Sequence, residues 1–193
     1  MSCGPEAVLD RDPGAPVLRC RRCGDSLRVP ALPLFVVTGA SGAGKTTVTA
    51  PLRRLLPDCD VFEADLTLQV AALGWEAWRD TWLQVAHGVA LNGRVTVLCG
   101  SLLPDQLESL PARKLLGPIH FCNLDCSAEV LAERLRARPS WRHGPTETDA
   151  LVLEHQRFAA WLRTHIEPCF DTSTQAPREI AEHVAAWIRD LRG

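Results

Sequence analysis

From residue 33 onward the chain alternates between short runs of consecutive apolar residues and longer stretches whose apolar residues return every three or four positions. The first kind of pattern predicts buried strands and the second predicts helices with one buried face. Leu34 to Val37 is the first such strand, followed by a helix from Lys45 to Leu56 in which Pro51 predicts a kink. Asp58 to Glu63 predicts the second strand, ending at Ala64-Asp65. Residues 66–91 predict a helix broken at Gly74, with Trp75, Trp78 and Trp82 continued by Val85 or Ala86 and Val89 as one stripe. Arg94 to Gly100 is β-branched and apolar and predicts the third strand; a proline-bounded connector with a short helix covers 104–116. Pro118 to Leu124 predicts the fourth strand, with Asp125 or Ser127 capping a helix from Ala128 to Arg138. A helix over 147–165, a short strand Cys169 to Ser173 and a last helix opened by Pro177 complete the pattern.

Strand–helix alternation of this kind predicts an α/β fold, with a parallel sheet covered on both faces. Residues 1–30 differ: Pro5, Pro13, Pro16 and Pro30, several glycines and no apolar period predict an irregular, flexible arm appended to a domain over 31–193. Within that arm, Cys20-Arg21-Arg22-Cys23-Gly24 resembles one knuckle of a zinc ribbon. A structural zinc site takes four ligands and no second C-x-x-C exists, so a weakly structured arm and a site completed by Cys3 and a distant Cys or His both stand.

Composition narrows the function classes. With 193 residues, 46% apolar residues and a net charge of −2, the chain reads as a soluble globular protein with a full core. It has no basic excess to point to nucleic acid, and no stretch approaches a membrane-spanning length. Met1 to Asp12 lacks the charged and apolar regions of a secretory signal. The eight cysteines are scattered, and Cys99 and Cys122 fall in apolar strands, so reduced thiols and a cytoplasmic setting are expected.

The candidate chemistry lies between the first strand and the first helix. Gly39-Ala40-Ser41-Gly42-Ala43-Gly44-Lys45-Thr46 is a full G-x-x-x-x-G-K-[ST] phosphate loop, with Thr47 next to it. Glycines let successive N–H groups turn toward phosphate oxygens, and the helix adds its positive end. Lys45 is one of only two lysines in the chain, the other being Lys114, and is placed to reach the β- and γ-phosphates. The Thr46 hydroxyl suits Mg²⁺.

Asp65, just past the carboxyl end of the second strand, is placed to activate an acceptor hydroxyl and to contact Mg²⁺; capping of the next helix is its other reading. Glu63 faces the same side if the strand extends that far. On the helix Ala128 to Arg138, Leu131 and Leu135 face the core, and Arg134 and Arg138 border that face. Together with Arg142 on the turn-rich loop 139–145 they form a set able to close over a triphosphate, or else are surface arginines. The tryptophan stripe is core packing or an acceptor wall, and Arg79 beside it pairs with an acceptor phosphate or is solvated. His155 reads as a packed histidine at the edge of the core, and Gly100-Ser101 as a close backbone approach to a ligand.

On the strength of Gly39 to Thr46, of Asp65 and of the helix Glu129 to Arg138 leading into a loop, residues 33–190 resemble the small P-loop kinases. These include nucleoside and nucleotide kinases, shikimate and gluconate kinases, and chloramphenicol phosphotransferase. The resemblance implies a three-layer α/β/α P-loop NTPase fold with a central five-stranded parallel sheet and a mobile lid. It also implies ATP and Mg²⁺ as cofactors, arginines that embrace the donor phosphates, and a loop Asp171 to Pro177 packed on adenine. Gly100 looks more like the shikimate kinase pattern than the Asp-Gly of many nucleotide kinases. No acceptor motif matches, and the stripe favours a flat nucleoside- or nucleotide-like acceptor over a sugar acid or an antibiotic hydroxyl. The partner expected is thus a small phosphoryl acceptor, without nucleic acid or membrane. A regulatory ATP- or GTP-hydrolysing protein is the competing reading, against which stand the missing N-K-x-D motif and the missing acid after the third strand. A non-catalytic nucleotide-binding module is the third.

Overall fold

Five short parallel strands carry the molecule's core. In the computed structural model, which describes residues 2–4, 8–11, 17–28, 30, 32–138 and 148–193, the chain begins with three short strands: β1 (Leu9–Arg11), β2 (Val17–Cys20) and β3 (Ser26–Arg28). There follow β4 (Leu34–Thr38), α1 (Lys45–Leu55), β5 (Cys59–Glu63), a 3-10 segment (Ala64–Leu73) and α2 (Trp75–Leu91). Next are β6 (Val95–Cys99), α3 (Asp105–Glu108), a second 3-10 segment (Pro111–Leu115), β7 (Ile119–Asp125) and α4 (Ala128–Arg136). The chain ends with α5 (Thr148–His165), β8 (Cys169–Asp171) and α6 (Pro177–Arg192).

The large sheet has the order β5-β6-β4-β7-β8, and every pairing in it is parallel. β4 is central, hydrogen-bonded to β6 and β7, and all five of its residues are buried. That explains its unbroken apolar run: a strand covered on both faces has no solvent side on which to place polar residues. α1 and α6 cover one face, where Phe35, Val37, Val97, Leu52, Val184 and Ile188 pack together. On the other face Leu34, Val36 and Leu98 meet Trp78, Trp82 and Leu83 of α2 and the connector's Leu107 and Leu116. Each such side chain contributes roughly 1.5–3 kcal/mol on burial. The architecture is the expected three-layer α/β/α fold around a five-stranded parallel sheet.

The local expectations fare differently. Pro51 lies inside α1, which is assigned as one helix over Lys45–Leu55. The stretch 66–74 is 3-10 rather than α, and Gly74, at φ 111°, separates it from α2. Ser127, whose Oγ accepts from Val130 N at 3.2 Å, caps α4, while Asp125 ends β7 and pairs with Arg163. Residues 1–30, read as irregular, contain the antiparallel sheet β1-β2-β3. The mobile lid and Arg142 fall within 139–147, outside the described residues. All eight cysteines are free, and no helix among the described residues is long and apolar enough to cross a membrane.

Candidate active site

β4 delivers the chain to the top edge of the sheet, where the loop 39–44 turns into α1. Gly44 caps that helix in the left-handed region at φ 99°, a conformation that costs a residue with a Cβ dearly. Thr46 and Thr47 are exposed in the first turn of α1, at its positive end. Lys45 folds over the loop and donates from Nζ to Gly39 O at 2.7 Å and Ala40 O at 2.9 Å. Desolvation lowers its pKa to about 8; Asp65 opposes that shift and Arg138 adds to it. These are the electrostatics of a cation held in reserve for an anion.

A cavity of about 730 Å³ opens above the loop. It is lined by Ser41, Gly42, Gly44, Lys45, Thr46 and Thr47 of the predicted set, and by Asp65, Arg134 and Arg138. Gly39, Ala40 and Ala43 support the loop from below: Ala43 N donates to Ala40 O at 3.1 Å, and Ala40 and Ala43 are buried. On the donor side Arg134 binds three atoms. Its Nη1 donates to Gly42 O at 3.2 Å and Thr172 Oγ1 at 3.0 Å, and its Nη2 to Thr172 O at 2.7 Å. It therefore ties the phosphate loop to the end of β8. Arg138 donates from Nη1 to Ser41 Oγ at 2.7 Å and faces the cavity. Thr172, Gln175 and Pro177 complete this side, on the loop that the family resemblance places against a base.

Glu63, Asp65, Leu68, Trp75, Trp78 and Arg79 form the opposite wall. Asp65 is exposed in the first turn of the 3-10 segment and is not its N-cap, a position held by Glu63. Glu63 lies at the end of β5 and lines the cavity, as its alternation with Asp65 predicts. The tryptophan stripe divides: Trp82 belongs to the core and donates to Ala64 O at 3.0 Å, while Trp75 and Trp78 meet edge to face at 5.7 Å in the cavity wall. Trp78 Nε1 and Arg79 Nε are buried donors without a hydrogen-bond partner among the described residues. Such groups are costly unless a ligand answers them.

Sequence reasoning missed or misread several positions. Gly100 lines the cavity, but its close approach is to the protein itself: an added Cβ would lie 2.4 Å from Ala64 Cβ. Ser101 Oγ donates to Gly39 O at 2.8 Å and braces the phosphate loop. His155, read as a packed histidine at the edge of the core, is half-buried and also lines the cavity; burial lowers its pKa, Glu154 opposes that shift, and Lys45 and Arg138 add to it. Thr172 is buried, and the single proton of its hydroxyl is shared between Ala43 O at 2.9 Å and Asp125 O at 3.0 Å. The sequence singled these positions out but not their contacts: Gly100, Ser101 and Thr172 meet residues distant in the chain.

The donor set suits magnesium. Thr46 and Asp65 present a hydroxyl and a carboxylate to one cavity, and Mg²⁺ in phosphate sites takes few protein ligands beside the phosphates and water. At the end of β6, where an acid is absent, burial pushes the Cys99 thiol up to about 11, so it offers no charge to a hard cation. Asp125, at the end of β7, is engaged by Arg163 Nε at 2.5 Å.

No protein-family model matches the chain, and no curated protein sequence matches it. Among solved structures it is similar to a sugar kinase from Janibacter sp. HTCC2649, at 22% identity and TM-score 0.60, over 83% of this chain and 95% of that one. It is similar to a shikimate kinase from Acinetobacter baumannii in complex with shikimate, at 18% identity and TM-score 0.54, over 83% and 95%. A gluconokinase from Sinorhizobium meliloti 1021 matches at 24% identity and TM-score 0.51, over 85% and 95%. At these identities the likeness is one of fold: the chain has the fold of the small P-loop kinases.

Proposed function

We propose that the protein is an ATP-dependent kinase that transfers the γ-phosphoryl group to a hydroxyl or phosphate of a small acceptor. One observation carries this reading: the phosphate loop with Lys45, the arginines of α4, and Asp65 all open into the same cavity as Trp75, Trp78 and Arg79. A pure nucleotide switch has no need of a second, partly aromatic wall facing the γ-phosphate position. Thr46 and Asp65 would hold Mg²⁺, which when bound neutralises phosphate charge and aligns the donor.

The chain's own residues do the rest. Lys45 exchanges the carbonyls of Gly39 and Ala40 for the β- and γ-phosphates. Arg138 leaves Ser41 Oγ to balance the charge that spreads over the transferring group. Arg142, outside the described residues, would join it. Arg134 keeps its bonds to Gly42 and Thr172 and holds the donor wall rigid. Asp65 orients the acceptor hydroxyl and takes its proton.

The acceptor wall favours a small molecule that presents a flat or apolar face to the indoles and an anionic group to Arg79. A nucleotide-like acceptor satisfies both. A hydroxy acid is the second reading, because the fold neighbours include proteins named as sugar, shikimate and glucono-kinases. An ATP-consumption screen over nucleosides, nucleotides, sugars, sugar acids and aminoglycoside- or phenicol-type antibiotics tests the proposal. Acceptor-dependent ADP release is expected; phosphate release that no acceptor stimulates would support the hydrolase reading instead.

A further inference from the structure

We propose that Cys3, Cys20 and Cys23 bind a zinc ion, and that this ion holds the N-terminal strands together. The three Sγ atoms all lie within 4.8 Å of one another. Thiolates around one tetrahedral zinc, with bonds of about 2.3 Å, sit about 3.8 Å apart, so the cluster needs only a small contraction to close on an ion. None of the three is in a disulfide.

The backbone is already shaped for the task. Cys20 ends β2 and is buried, and the turn after it is closed by Gly24 N to Cys20 O at 2.9 Å and Cys20 N to Asp25 O at 2.8 Å. Cys3 is brought across from the far end of the arm by its neighbour: Ser2 donates to Asp25 Oδ2 from its amide at 2.7 Å and from Oγ at 2.6 Å. Three sulfurs from two separate segments thus meet at one turn.

The arm also lacks another source of stability. Among the described residues of 1–30 only Leu18 and Cys20 are buried hydrophobics, and β3 is exposed along its length. Strands of three or four residues with so little core do not persist alone, and small units of this size are commonly closed by a metal. Soft thiolates in a tetrahedral set select zinc over the magnesium of the phosphate site. The fourth position is left for a water or another donor. The strands touch the rest of the protein at the 3-10 segment Pro111–Leu115, where Lys114 Nζ donates to Leu9 O at 2.8 Å, and none of their residues lines the cavity. The role assigned to the ion is structural, independent of phosphoryl transfer.

Elemental analysis of the full chain, purified under reducing conditions without chelator, is the test. About one zinc per chain is expected. The pair Cys20→Ser and Cys23→Ser should lose it, and Cys169→Ser, at an exposed cysteine outside the cluster, should keep it. Replacing zinc with cobalt should produce a thiolate-to-cobalt charge-transfer band in the wild type. Metal loss should expose the arm to proteolysis while ATP binding persists, so the outcome is separable from the kinase reading. A metal-free chain that takes up neither zinc nor cobalt, iron in place of zinc, or a Cys20–Cys23 disulfide in the purified protein would each overturn the assignment. Metal titration of the wild type decides the matter even if the double variant does not fold.

Discussion

Lys45 shows how one side chain links the apo geometry to the reaction. Its ammonium is bound to two loop carbonyls and its pKa is lowered to about 8 by burial, so a tightly bound polyphosphate gains both the charge and the relief of desolvation. The sign follows: below about pH 8 the lysine enters binding already protonated, and above it each binding event must first take up a proton. ATP affinity should hold steady near pH 7 and weaken at pH values above about 8, with proton uptake measurable by calorimetry in buffers of different ionisation heat. Equal affinity and no proton uptake on both sides of that pKa would contradict the assignment. Lys45→Ala should lower kcat by about 10²–10³-fold. Asp65→Asn should lower kcat by about 10²–10⁴-fold while the Kd for ATP, read by calorimetry, stays within a few-fold. An unchanged kcat would remove Asp65 from the role of base. Lys45 and the loop were legible because their chemistry is packed into eight consecutive positions. Ser101 and Arg134 were harder, because what each does depends on a partner 62 or 92 residues away in the chain.

At the scale of elements, the ends of β5 and β6 set where the acceptor wall stands. Gly100 lets Ala64 press against the end of β6, and the turn that begins at Ala64 carries Asp65. Gly100→Ala puts two carbons at 2.4 Å and must push the 3-10 segment outward. The overpacking should cost about 1–3 kcal/mol, seen as a lower Tm, and should raise the acceptor KM more than the Kd for ATP. A second hinge of the site is Thr172, whose buried hydroxyl serves Arg134, Ala43 and Asp125 together. Thr172→Val keeps the shape and strips those bonds, so a loss of about 1–3 kcal/mol is expected, with weakened ATP binding as α4 and the phosphate loop separate. If urea denaturation gave the same midpoint as wild type, the hydroxyl would not be the tie described here. The parallel strands were readable in advance because burial on both faces makes them continuous apolar runs, as in Leu34–Thr38. β1 to β3 were not, because they are only three or four residues long and, apart from Leu18 and Cys20 of β2, bury almost nothing. Gly74 announced a break, but nothing local said that the segment before it would be 3-10.

Across the whole molecule the sheet order places two walls on either side of β4. The donor wall is built from α1, α4 and the loop after β8, and the acceptor wall from the end of β5 and the start of α2. The two walls draw on different side chains, so ligands on the two sides should give separate readouts. ATP bound as proposed would bridge α1, α4 and the β8–α6 loop, and at 100 times its Kd it should stabilise the fold by about 2.7 kcal/mol, a Tm rise of roughly 5–10 °C for a chain of this size. An acceptor bound as proposed would instead meet Trp75, which is 56% exposed, and Trp78 beside it, and should change tryptophan emission in the absence of ATP. Arg79→Ala separates the sides most sharply. Its Nε lines the cavity as a buried donor without a hydrogen-bond partner among the described residues, so its removal should raise the KM of an anionic acceptor about 10–100-fold through the loss of a charged hydrogen bond of about 1.5–3 kcal/mol. The thermal shift with ATP should be unchanged, and an uncharged acceptor should lose far less than an anionic one. If charged and uncharged acceptors weakened equally, Arg79 would be supporting the wall's shape rather than answering a charge, and the acceptor would be selected by its flat face alone.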